Sequence, residues 1–329
     1  MNMHDNHWIG RIGLSLGIVV LIGVAASADG GQQKATGDWT WDEQPGQSIA
    51  LRHDNRVVWQ FNYAASQPKP YFHPVAVPDG PVLTWDSPPD HPWHKALWFS
   101  WKYINKVNYW ESDPKTGKSA GRTEWSNVNV VTRPDHGAHI TMDVTYRDPG
   151  GMAVMTEHRI VDVSAPDASG AYHFDWTCRF TAGGQDVVLD RTPLPNEPGG
   201  QIYGGYAGLS VRFAKALTQC QATTTAGAAV FNKQKRHRSK APAMDYHGIV
   251  DGQPFGIAIC DHPDNLNHPT PWYAIASGTM SYFSPAVICY GPYTLGAGKT
   301  FTLRYRVLVH RGRWDAEQLR RAYARFVQR

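Results

Sequence analysis

Two copies of the tripeptide Asp-His-Pro, at residues 90–92 and 261–263, bring together the side chains best suited to chemistry in this sequence. Each copy is followed a few positions later by another histidine, so each short segment holds two imidazoles and at least one carboxylate. Imidazole and carboxylate pairs transfer protons near neutral pH and also bind divalent metals. The prolines keep both segments out of helical geometry and favour loops, where functional sites are commonly built.

The first segment contains the strongest candidates, which are Asp90, His91 and His94. Neighbouring prolines restrict the backbone, so these side chains are held in position at little entropic cost. Either both imidazoles face a metal, or Asp90 orients one imidazole while that ring acts as a base. The structural alternative is a turn in which Asp90 caps backbone N–H groups and the histidines pack on nearby tryptophans. We predict catalytic roles for all three residues.

Residues 69–74, with the sequence Lys-Pro-Tyr-Phe-His-Pro, lie ahead of the first segment. In a strand, Lys69, Tyr71 and His73 share one face. We predict that Tyr71 and His73 are catalytic, as proton donors or ligands, and that Lys69 contacts the substrate. The alternative is an edge strand on the surface.

Two charged residues stand out in otherwise apolar runs. Glu111 ends a predicted hairpin and could be an acid–base partner of the histidines, with Trp110 beside it as a substrate contact. A lone glutamate at a strand end is otherwise simply solvated. Arg159 follows Glu157 in an apolar strand, and its planar fork suits a substrate carboxylate. Cross-strand ion pairing is the alternative for this second pair.

Three further regions supply candidates for substrate binding. The glycine-rich residues 203–208 lack the strand–loop–helix context of a phosphate loop. This loop instead indicates close backbone packing or a binding wall lined by Tyr203 and Tyr206. The basic residues 233–238 could attract an acidic glycan or form a solvated loop. His247 follows this basic run and is a further candidate for substrate binding.

The second Asp-His-Pro segment offers His262, Asn265 and His268 as inward-facing groups that bind substrate. Asparagine and aspartate are common turn formers, so a purely structural loop is the alternative. Independent loop chemistry explains the three shared residues better than duplication of a half-domain.

Residues 1–28 are typical of a signal peptide, with a weakly basic start, an apolar core and a small-residue cleavage site. The apolar core is shorter than the roughly 20 residues that a membrane span needs. We therefore expect a periplasmic or secreted protein without an integral span in the mature chain. Residues 29–47 are polar and glycine-rich, which predicts a flexible lead-in. Export and a net charge of only +4 argue against nucleic acid as a partner.

Short alternating apolar runs separated by turn residues predict an all-β protein, a large antiparallel β-sandwich over residues 48–329 as one domain. A capping box at Asp315 and Gln318 predicts one C-terminal helix over residues 315–328. Four widely spaced cysteines permit disulfides without indicating a pairing. The 13 tryptophans and 15 tyrosines favour aromatic surfaces of the kind that stack on sugar rings.

Five motifs together resemble a known family, and they are residues 69–74, 90–94, 203–208, 261–265 and 303–312. The sequence resembles the bacterial domain-of-unknown-function family labelled "methane oxygenase PmoA", over roughly residues 50–328. The true methane monooxygenase subunit spans the membrane several times, and the mature chain lacks any such segment, so methane oxidation is set aside. The family is similar to galactose-mutarotase-like β supersandwiches, which implies a role with carbohydrates. Trp93 stands where the family pattern has a second adjacent histidine, which argues against a metal site built from that pair.

The sequence therefore predicts an exported carbohydrate-active enzyme that applies histidine and aspartate acid–base chemistry to a glycan or oligosaccharide. Proton abstraction beside a carbonyl, as in β-elimination, would use a histidine base. Glycoside hydrolysis by two carboxylates would use Asp90 and Glu111. A non-catalytic carbohydrate-binding β-sandwich is the alternative from a different class. No cofactor is indicated with certainty, and a divalent metal stays open.

Overall fold

The strands account for most of the architecture, and the computed structural model describes residues 37–113 and 115–328. The first half contains β1 Trp39–Gln44, β2 Ser48–His53, β3 Arg56–Asn62, β4 Tyr71–Val75, β5 Leu97–Ser100, β6 Tyr103–Ile104, β7 Val107–Asn108, β8 Arg122–Thr132, β9 Ala138–Arg147, β10 Ala153–Val163 and β11 Tyr172–Ala182. The second half contains β12 Val187–Asp190, β13 Gly208–Arg212, β14 Thr218–Thr224, β15 Gly227–Ala228, β16 Arg236–Lys240, β17 Ala243–Val250, β18 Gln253–Asp261, β19 Pro271–Ala276, β20 Ser281–Pro285, β21 Tyr293–Leu295, β22 Thr300–Arg311 and the helix α1 Ala316–Val327.

These strands form three antiparallel sheets. The first sheet has nine strands in the order β1-β2-β3-β4-β5-β13-β20-β19-β16. The second also has nine, in the order β15-β14-β17-β18-β22-β11-β10-β9-β8, and the third has four, in the order β21-β12-β6-β7. Two features of the first sheet matter for the site. β5 and β13 are neighbours although about a hundred residues separate them in sequence, and β16 forms an edge of the sheet.

The two large sheets pack face to face, because alternate residues of their strands are apolar. The burial of β11 alternates almost perfectly between buried and partly exposed positions. Ring centroids of Phe72 on β4 and Phe174 on β11 lie 4.8 Å apart, and those of Phe99 on β5 and Phe180 on β11 lie 5.4 Å apart. The predicted large antiparallel β-sandwich is confirmed.

The predicted C-terminal helix is also confirmed, with its predicted cap. The Asp315 side chain accepts a hydrogen bond from the Gln318 backbone N–H at 2.8 Å, and the Gln318 side chain accepts one from the Asp315 N–H at 3.0 Å. This capping box satisfies N–H groups that have no partner within the helix. The helix packs on the outer face of the second sheet through a small apolar cluster of Ala243, Ala258, Cys260, Leu319 and Phe326.

Part of the predicted flexible lead-in is a strand. Residues 39–44 form β1, which pairs with β2 over its full length. Trp39 and Trp41 alternate along β1 and pack against the core, and the Trp41 ring lies 5.6 Å from Trp59. The apolar area of these two tryptophans outweighs the polar and glycine-rich composition around them.

Other local predictions also need correction. The apolar residues 96–104 predict a single strand, but β5 lies in the first sheet and β6 in the third. The apolar residues 286–290 also predict a strand, but residues 287–290 form turns. The basic run 233–238 contains the start of β16 and is not only a loop.

Residues from Gly37 onward form one compact unit. The predicted signal peptide, residues 1–28, and the first part of the predicted lead-in lie outside the described residues. Within the described ranges, no helix has the length and apolar character to cross a bilayer. All four cysteines are unpaired, and three of them are buried.

Candidate functional site

The outer face of the first sheet, which points away from the main core, is apolar as well. On β4, β5, β19 and β20 the side chains that alternate with core residues form a second cluster of Tyr71, Trp98, Tyr273, Ile275 and Tyr282. Trp110 and Leu194 from crossing loops join this cluster, and Trp93 and Tyr206 pack against it. Loops therefore cover a face that would otherwise expose large aromatic side chains to water.

A cavity of about 450 Å³ remains between this face and its covering loops. Twelve residues line it. Six of them were predicted as site residues, namely His91, His94, Trp110, Glu111, Tyr203 and Tyr206. The other six are Trp93, Arg236, Tyr273, Ile275, Met280 and Tyr282. The fold thus gathers loop residues far apart in sequence around a floor of strand residues.

His91 is held at the cavity surface by a chain of two further residues. Its Nδ1 lies 2.9 Å from Asp90 Oδ2, and Nη2 of the buried Arg212 on β13 donates to both oxygens of Asp90 at 2.8 Å. Partial burial alone would raise the pKa of Asp90, but His91 and Arg212 lower it below its ordinary value. The ionised carboxylate only accepts hydrogen bonds, so Nδ1 of His91 carries the proton and Nε2 is free for a ligand.

His94 forms part of the cavity floor. Its side chain is almost fully buried, its ring centroid lies 4.7 Å from that of His91, and it packs on Trp98 and Tyr282 at 5.2 and 5.5 Å. Burial, reinforced by the positive charges of His91 and Arg212, lowers the pKa of His94 well below its ordinary value. His94 is therefore neutral at physiological pH, which suits hydrogen bonding and packing better than proton donation.

Glu111 lines the opposite part of the cavity as a carboxylate. Tyr206 donates its hydroxyl to Glu111 Oε1 at 2.8 Å, and Asn108 Nδ2 donates to Oε2 at 2.8 Å. The buried Lys102 ammonium forms an ion pair with the same Oε2. Burial alone would raise the pKa of Glu111, but Lys102 and these hydrogen bonds lower it. Glu111 is thus a carboxylate at neutral pH and can accept hydrogen bonds from a ligand.

Lys69 lies behind the cavity wall instead of lining it. Its buried ammonium donates to the backbone carbonyls of Tyr109 and Trp110 at 3.3 and 3.2 Å. Burial lowers the pKa of Lys69 to about 7, although the negative charge of Glu111 opposes this effect. The predicted substrate contact is therefore a support for the segment that carries Trp110 and Glu111.

Tyr71 and His73 do not line the cavity either, and the Tyr71 hydroxyl and His73 Nδ1 already have partners. The Tyr71 hydroxyl donates to Asp86 at 3.2 Å, and His73 Nδ1 lies 3.0 Å from the Thr84 hydroxyl. Burial raises the pKa of Tyr71 and lowers that of His73. Tyr71 and His73 share a face of β4, but the strand residues that line the cavity lie on β16, β19 and β20, so the geometry does not support the predicted catalytic roles of these two residues.

Arg159 is enclosed in the main core between the large sheets. Its Nε and Nη2 donate to the two oxygens of Glu157 at 2.6 and 2.9 Å, and Tyr146 donates to the same carboxylate at 2.6 Å. The guanidinium lies over the rings of Phe99 and Trp176. A solute cannot reach this pair, so we withdraw Arg159 as a substrate contact. The ion pair runs along one strand, not across two.

His247 is buried on the outer face of the second sheet. Its Nδ1 lies 2.7 Å from Asp245, whose other oxygen lies 3.0 Å from Nε2 of His310. The His310 ring stacks on Trp314 at 4.0 Å, just ahead of α1. This buried cluster anchors the segment that leads into the helix, which removes His247 from the candidate substrate contacts.

The second Asp-His-Pro segment lies beside the helix, away from the cavity. The buried Asp261 accepts hydrogen bonds from Asn265 Nδ2 and from the Thr270 backbone N–H at 2.7 and 3.0 Å, and His268 Nδ1 lies 2.7 Å from it. The Asn265 amide also donates to the Arg304 carbonyl at 2.7 Å. These contacts close the loop on itself.

The histidines of this segment face α1. The His262 ring packs edge-on against Phe326 at 5.5 Å, and the His268 ring stacks on Tyr323 at 6.4 Å. The structural alternative for this loop therefore describes it better than the predicted substrate-binding role of its three polar residues.

The open question of a metal leads to a different part of the protein. Within residues 37–113 and 115–328, the one group of three side chains with metal-ligand spacing is His53, Asp54 and Asp79, at the turn after β2. His53 Nδ1 lies 3.1 Å from Asp79, and both carboxylates are exposed. This group does not contain a cavity residue.

Sequence reasoning missed the strand residues of the cavity floor. Tyr273 and Tyr282 lie on β19 and β20, whose side chains are buried on both faces. The signal was present, because a strand that is apolar on both faces must be covered twice. Arg236 lay within the basic run that was predicted to attract an acidic glycan or to be solvated, but its partners depend on pairing with β19, which sequence alone does not reveal.

Comparison with known proteins gives a family but no activity. The model of a family of unknown function, DUF6807, matches residues 48–324. No curated protein matches the chain. The family description carries no methane-oxygenase label, so the label attached to the resemblance is not supported.

Two solved structures are similar at low identity. An alpha-galactosidase from Lactobacillus brevis shares 9% identity at a TM-score of 0.43, and the match covers 84% of this chain and 40% of that one. A galactose mutarotase related enzyme from Lactobacillus acidophilus shares 9% identity at a TM-score of 0.35, covering 83% of this chain and 97% of that one. The chain thus spans less than half the length of the alpha-galactosidase.

Proposed function

The chain belongs to DUF6807, a family of unknown function, and we propose from its cavity that it binds a sugar there and catalyses a proton transfer on it. The observation that carries this proposal is the chain of contacts from Arg212 through Asp90 to His91 at the cavity surface. Proton transfer requires an imidazole that is held in place with one nitrogen free. A pocket that only binds a sugar does not need such a group.

The walls of the cavity support a sugar as the ligand. Sugar rings present apolar faces and a rim of hydroxyl groups. Trp93, Trp110, Tyr203 and Tyr273 supply aromatic surface, and Glu111 supplies a carboxylate acceptor for hydroxyl groups. A volume of about 450 Å³ lies within the range of small-molecule sites. One or two sugar units fit such a space.

His91 would act through Nε2. The proton on Nδ1 is held by Asp90, so Nε2 can take a proton from a bound sugar and return it. Glu111 would accept a hydrogen bond from the same sugar and fix its orientation. This assignment favours reactions that begin with proton abstraction, such as β-elimination, over hydrolysis.

Hydrolysis by two carboxylates fits the site poorly. That reaction needs one carboxylic acid that stays protonated near neutral pH. The pKa values of Asp90 and Glu111 are both lowered, by Arg212 and His91 in one case and by Lys102 in the other, against the effect of burial. In addition, Asp90 does not line the cavity. We therefore do not propose glycoside hydrolysis by Asp90 and Glu111, the pair expected from the sequence.

The test is a screen of a glycan library for products, followed by substitution of His91. We expect His91→Ala to lower turnover strongly and to leave binding of the substrate measurable. His158→Ala is the matched control, because His158 forms a similar pair with Asp143 at 2.8 Å on the exposed outer side of the second sheet. Turnover that stays at the wild-type level in His91→Ala would remove the catalytic assignment.

The alternative is binding without turnover, and the mainly aromatic lining favours it. In that case, calorimetry or fluorescence would detect a glycan ligand while no product forms under any condition of the screen. Loss of binding in a Trp110→Ala variant would then assign the cavity as a carbohydrate-binding site.

We also propose that the protein is exported through cleavage after residue 28, as its N-terminal sequence predicts. Sequencing the N-terminus of protein made in a bacterial host with secretion would test this. Recovery of the full-length chain from the cytoplasm alone would contradict it.

A further inference from the structure

Apart from Lys69, whose ammonium donates to backbone carbonyls behind the cavity wall, the basic side chains around the cavity are matched to carboxylates, with two exceptions. The matched pairs are Lys102 with Glu111, Arg191 with Glu197 and Arg212 with Asp90. The exceptions, Arg236 and Arg238, alternate along β16 at the edge of the first sheet. Within residues 37–113 and 115–328, neither forms an ion pair with a carboxylate, in contrast to their neighbours.

Arg238 has a structural use that explains its position. Its Nη2 donates to the backbone carbonyls of Ile202 and Gly204 at 2.8 and 2.7 Å. Its guanidinium lies 4.6 Å from the centroid of the Tyr273 ring. Arg238 therefore fastens the tyrosine-bearing loop to the floor strands, and it is not among the residues that line the cavity.

Arg236 differs, because it lines the cavity, where its unused donors can reach a ligand. Nε donates to the Tyr273 hydroxyl at 3.2 Å and Nη1 donates to the Gln234 carbonyl at 3.0 Å. A guanidinium has five N–H donors, so 5 − 2 leaves three. Nη2 makes no hydrogen bond with any described residue. The two contacts fix the plane of the group while its remaining donors stay available.

We infer that the cavity takes an acidic sugar whose carboxylate pairs with Arg236. This inference rests on the proposed function and names the class of sugar that the site recognises. A partly enclosed cavity strengthens a charge pair relative to open water, and an arginine without a protein partner gains most from an ionic ligand. The planar fork of arginine fits a carboxylate better than it fits a neutral hydroxyl.

The other charges of the site agree with this assignment. Glu111, the carboxylate that lines the cavity, is neutralised by Lys102. An acidic ligand therefore meets one uncompensated positive charge at Arg236 and no uncompensated negative charge among the described lining residues. The aromatic walls hold the ring, and Arg236 selects among rings by charge.

The experiment compares each acidic oligosaccharide with its own neutral form. The probes are short fragments of polygalacturonate, alginate and glucuronan, each as the free acid and as the methyl ester, which removes the charge and keeps the sugar. Neutral galacto- and gluco-oligosaccharides and a sulfated carrageenan fragment complete the set. Binding is followed by tryptophan fluorescence, since Trp93 and Trp110 line the cavity.

We expect at least one free acid to bind roughly 10 to 100 times more tightly than its ester, as one charged hydrogen-bonded contact predicts. Arg236→Gln should abolish this difference, and Arg236→Lys should keep part of it. Arg56→Gln is the matched control, because Arg56 is exposed at the start of β3 and forms no ion pair within the described ranges. Thermal unfolding checks that each variant is folded.

Each outcome decides the inference. Equal binding of acid and ester, or binding of neutral oligosaccharides alone, overturns the acidic substrate and leaves the proposed function intact. A preference for acids that survives in Arg236→Gln overturns the role of Arg236. A preference for the sulfated fragment over every uronate overturns the assignment of a carboxylate as the group that Arg236 binds. Absence of binding to all probes contradicts both the inference and the proposed function. Weaker binding of the acid at about 0.5 M than at about 0.05 M salt supports the charge pair.

Discussion

The two Asp-His-Pro segments share three residues and differ in nearly everything else. In the first, Asp90 is partly exposed and binds Arg212, and His91 faces a cavity. In the second, Asp261 is buried and bonded to Asn265, His268 and the Thr270 backbone N–H, and its histidines face a helix. A tripeptide therefore fixes a loop conformation and a pair of side chains, but the neighbours from other strands decide whether that pair performs chemistry or holds the fold together.

The largest expected difference between the segments is in catalysis. His91→Ala removes the proposed base, and we expect the turnover number to fall on the order of 10²- to 10⁴-fold, with the fold intact. Steady-state kinetics on the substrate found in the screen measures this. A comparable loss in His262→Ala would erase the distinction, because His262 does not line the cavity.

The second difference is in the response of stability to pH. Burial raises the pKa of Asp261 to about 6, against the hydrogen bonds from Asn265 and His268. The folded-state pKa exceeds the unfolded-state pKa of about 4, so protonation of Asp261 stabilises the folded protein. This contribution is complete below about pH 4 and is lost as pH rises through about 6. Two pKa units correspond to about 3 kcal/mol.

Asp261→Asn removes this titration while keeping the shape of the side chain. Chemical denaturation at pH 4 and pH 7 should show that the wild-type protein loses about 3 kcal/mol more than the variant over this interval. The stabilisation from Asp90 runs in the opposite direction, because its lowered pKa makes it disappear as pH falls below the ordinary range. Parallel pH curves for wild type and Asp261→Asn would contradict the assignment.

The third difference concerns how each aspartate supports its histidine. Asp90→Asn keeps the size of the group but no longer demands a proton on His91 Nδ1, so the ring can adopt either tautomer. We expect a loss of roughly 10- to 100-fold in turnover with little change in KM. Asp264→Asn is the control, as Asp264 is an exposed acid of the second segment. An equal change in KM and turnover would indicate a binding role for Asp90.

The smallest effect is expected for His262→Ala. It removes an edge-on ring contact with Phe326 and the hydrogen bond that the Asp264 backbone N–H donates to His262 Nδ1 at 3.2 Å. We expect a loss of about 1 kcal/mol or less in the free energy of unfolding and unchanged kinetics. Urea denaturation measures the first quantity, and a loss above about 3 kcal/mol would show that the segment holds the helix more firmly than these contacts indicate.

Periodic patterns in the sequence predicted the parts of the fold that depend on local rules. The hairpin of β2 and β3 turns at Asp54 and Asn55, two residues that tolerate the observed positive φ angles of 45° and 65°. The capping box of α1 likewise depends on two residues three positions apart. Predictions of this kind need no knowledge of distant partners.

The site was only half predictable, for a physical reason. The types of the loop residues identify them as candidates, and six of the predicted residues line the cavity: two histidines, two tyrosines, one tryptophan and one glutamate. Whether a charged residue is free or engaged depends on long-range pairing: Arg159 finds Glu157 within the core, whereas Arg236 finds only neutral partners. Those contacts arise from sheet order and register, which one sequence does not display.

The strands that form the floor of the cavity also contribute to the main core. Recognition of a ligand therefore depends on the number of residues in these strands. Along β19, Trp272 faces the core and Tyr273 faces the cavity. Inserting or deleting a single residue in this strand would exchange the two sides along the rest of its length. An insertion in the loop around Tyr203 does not exchange two faces in this way, so the floor, unlike the loop, can be altered only by replacing one residue with another.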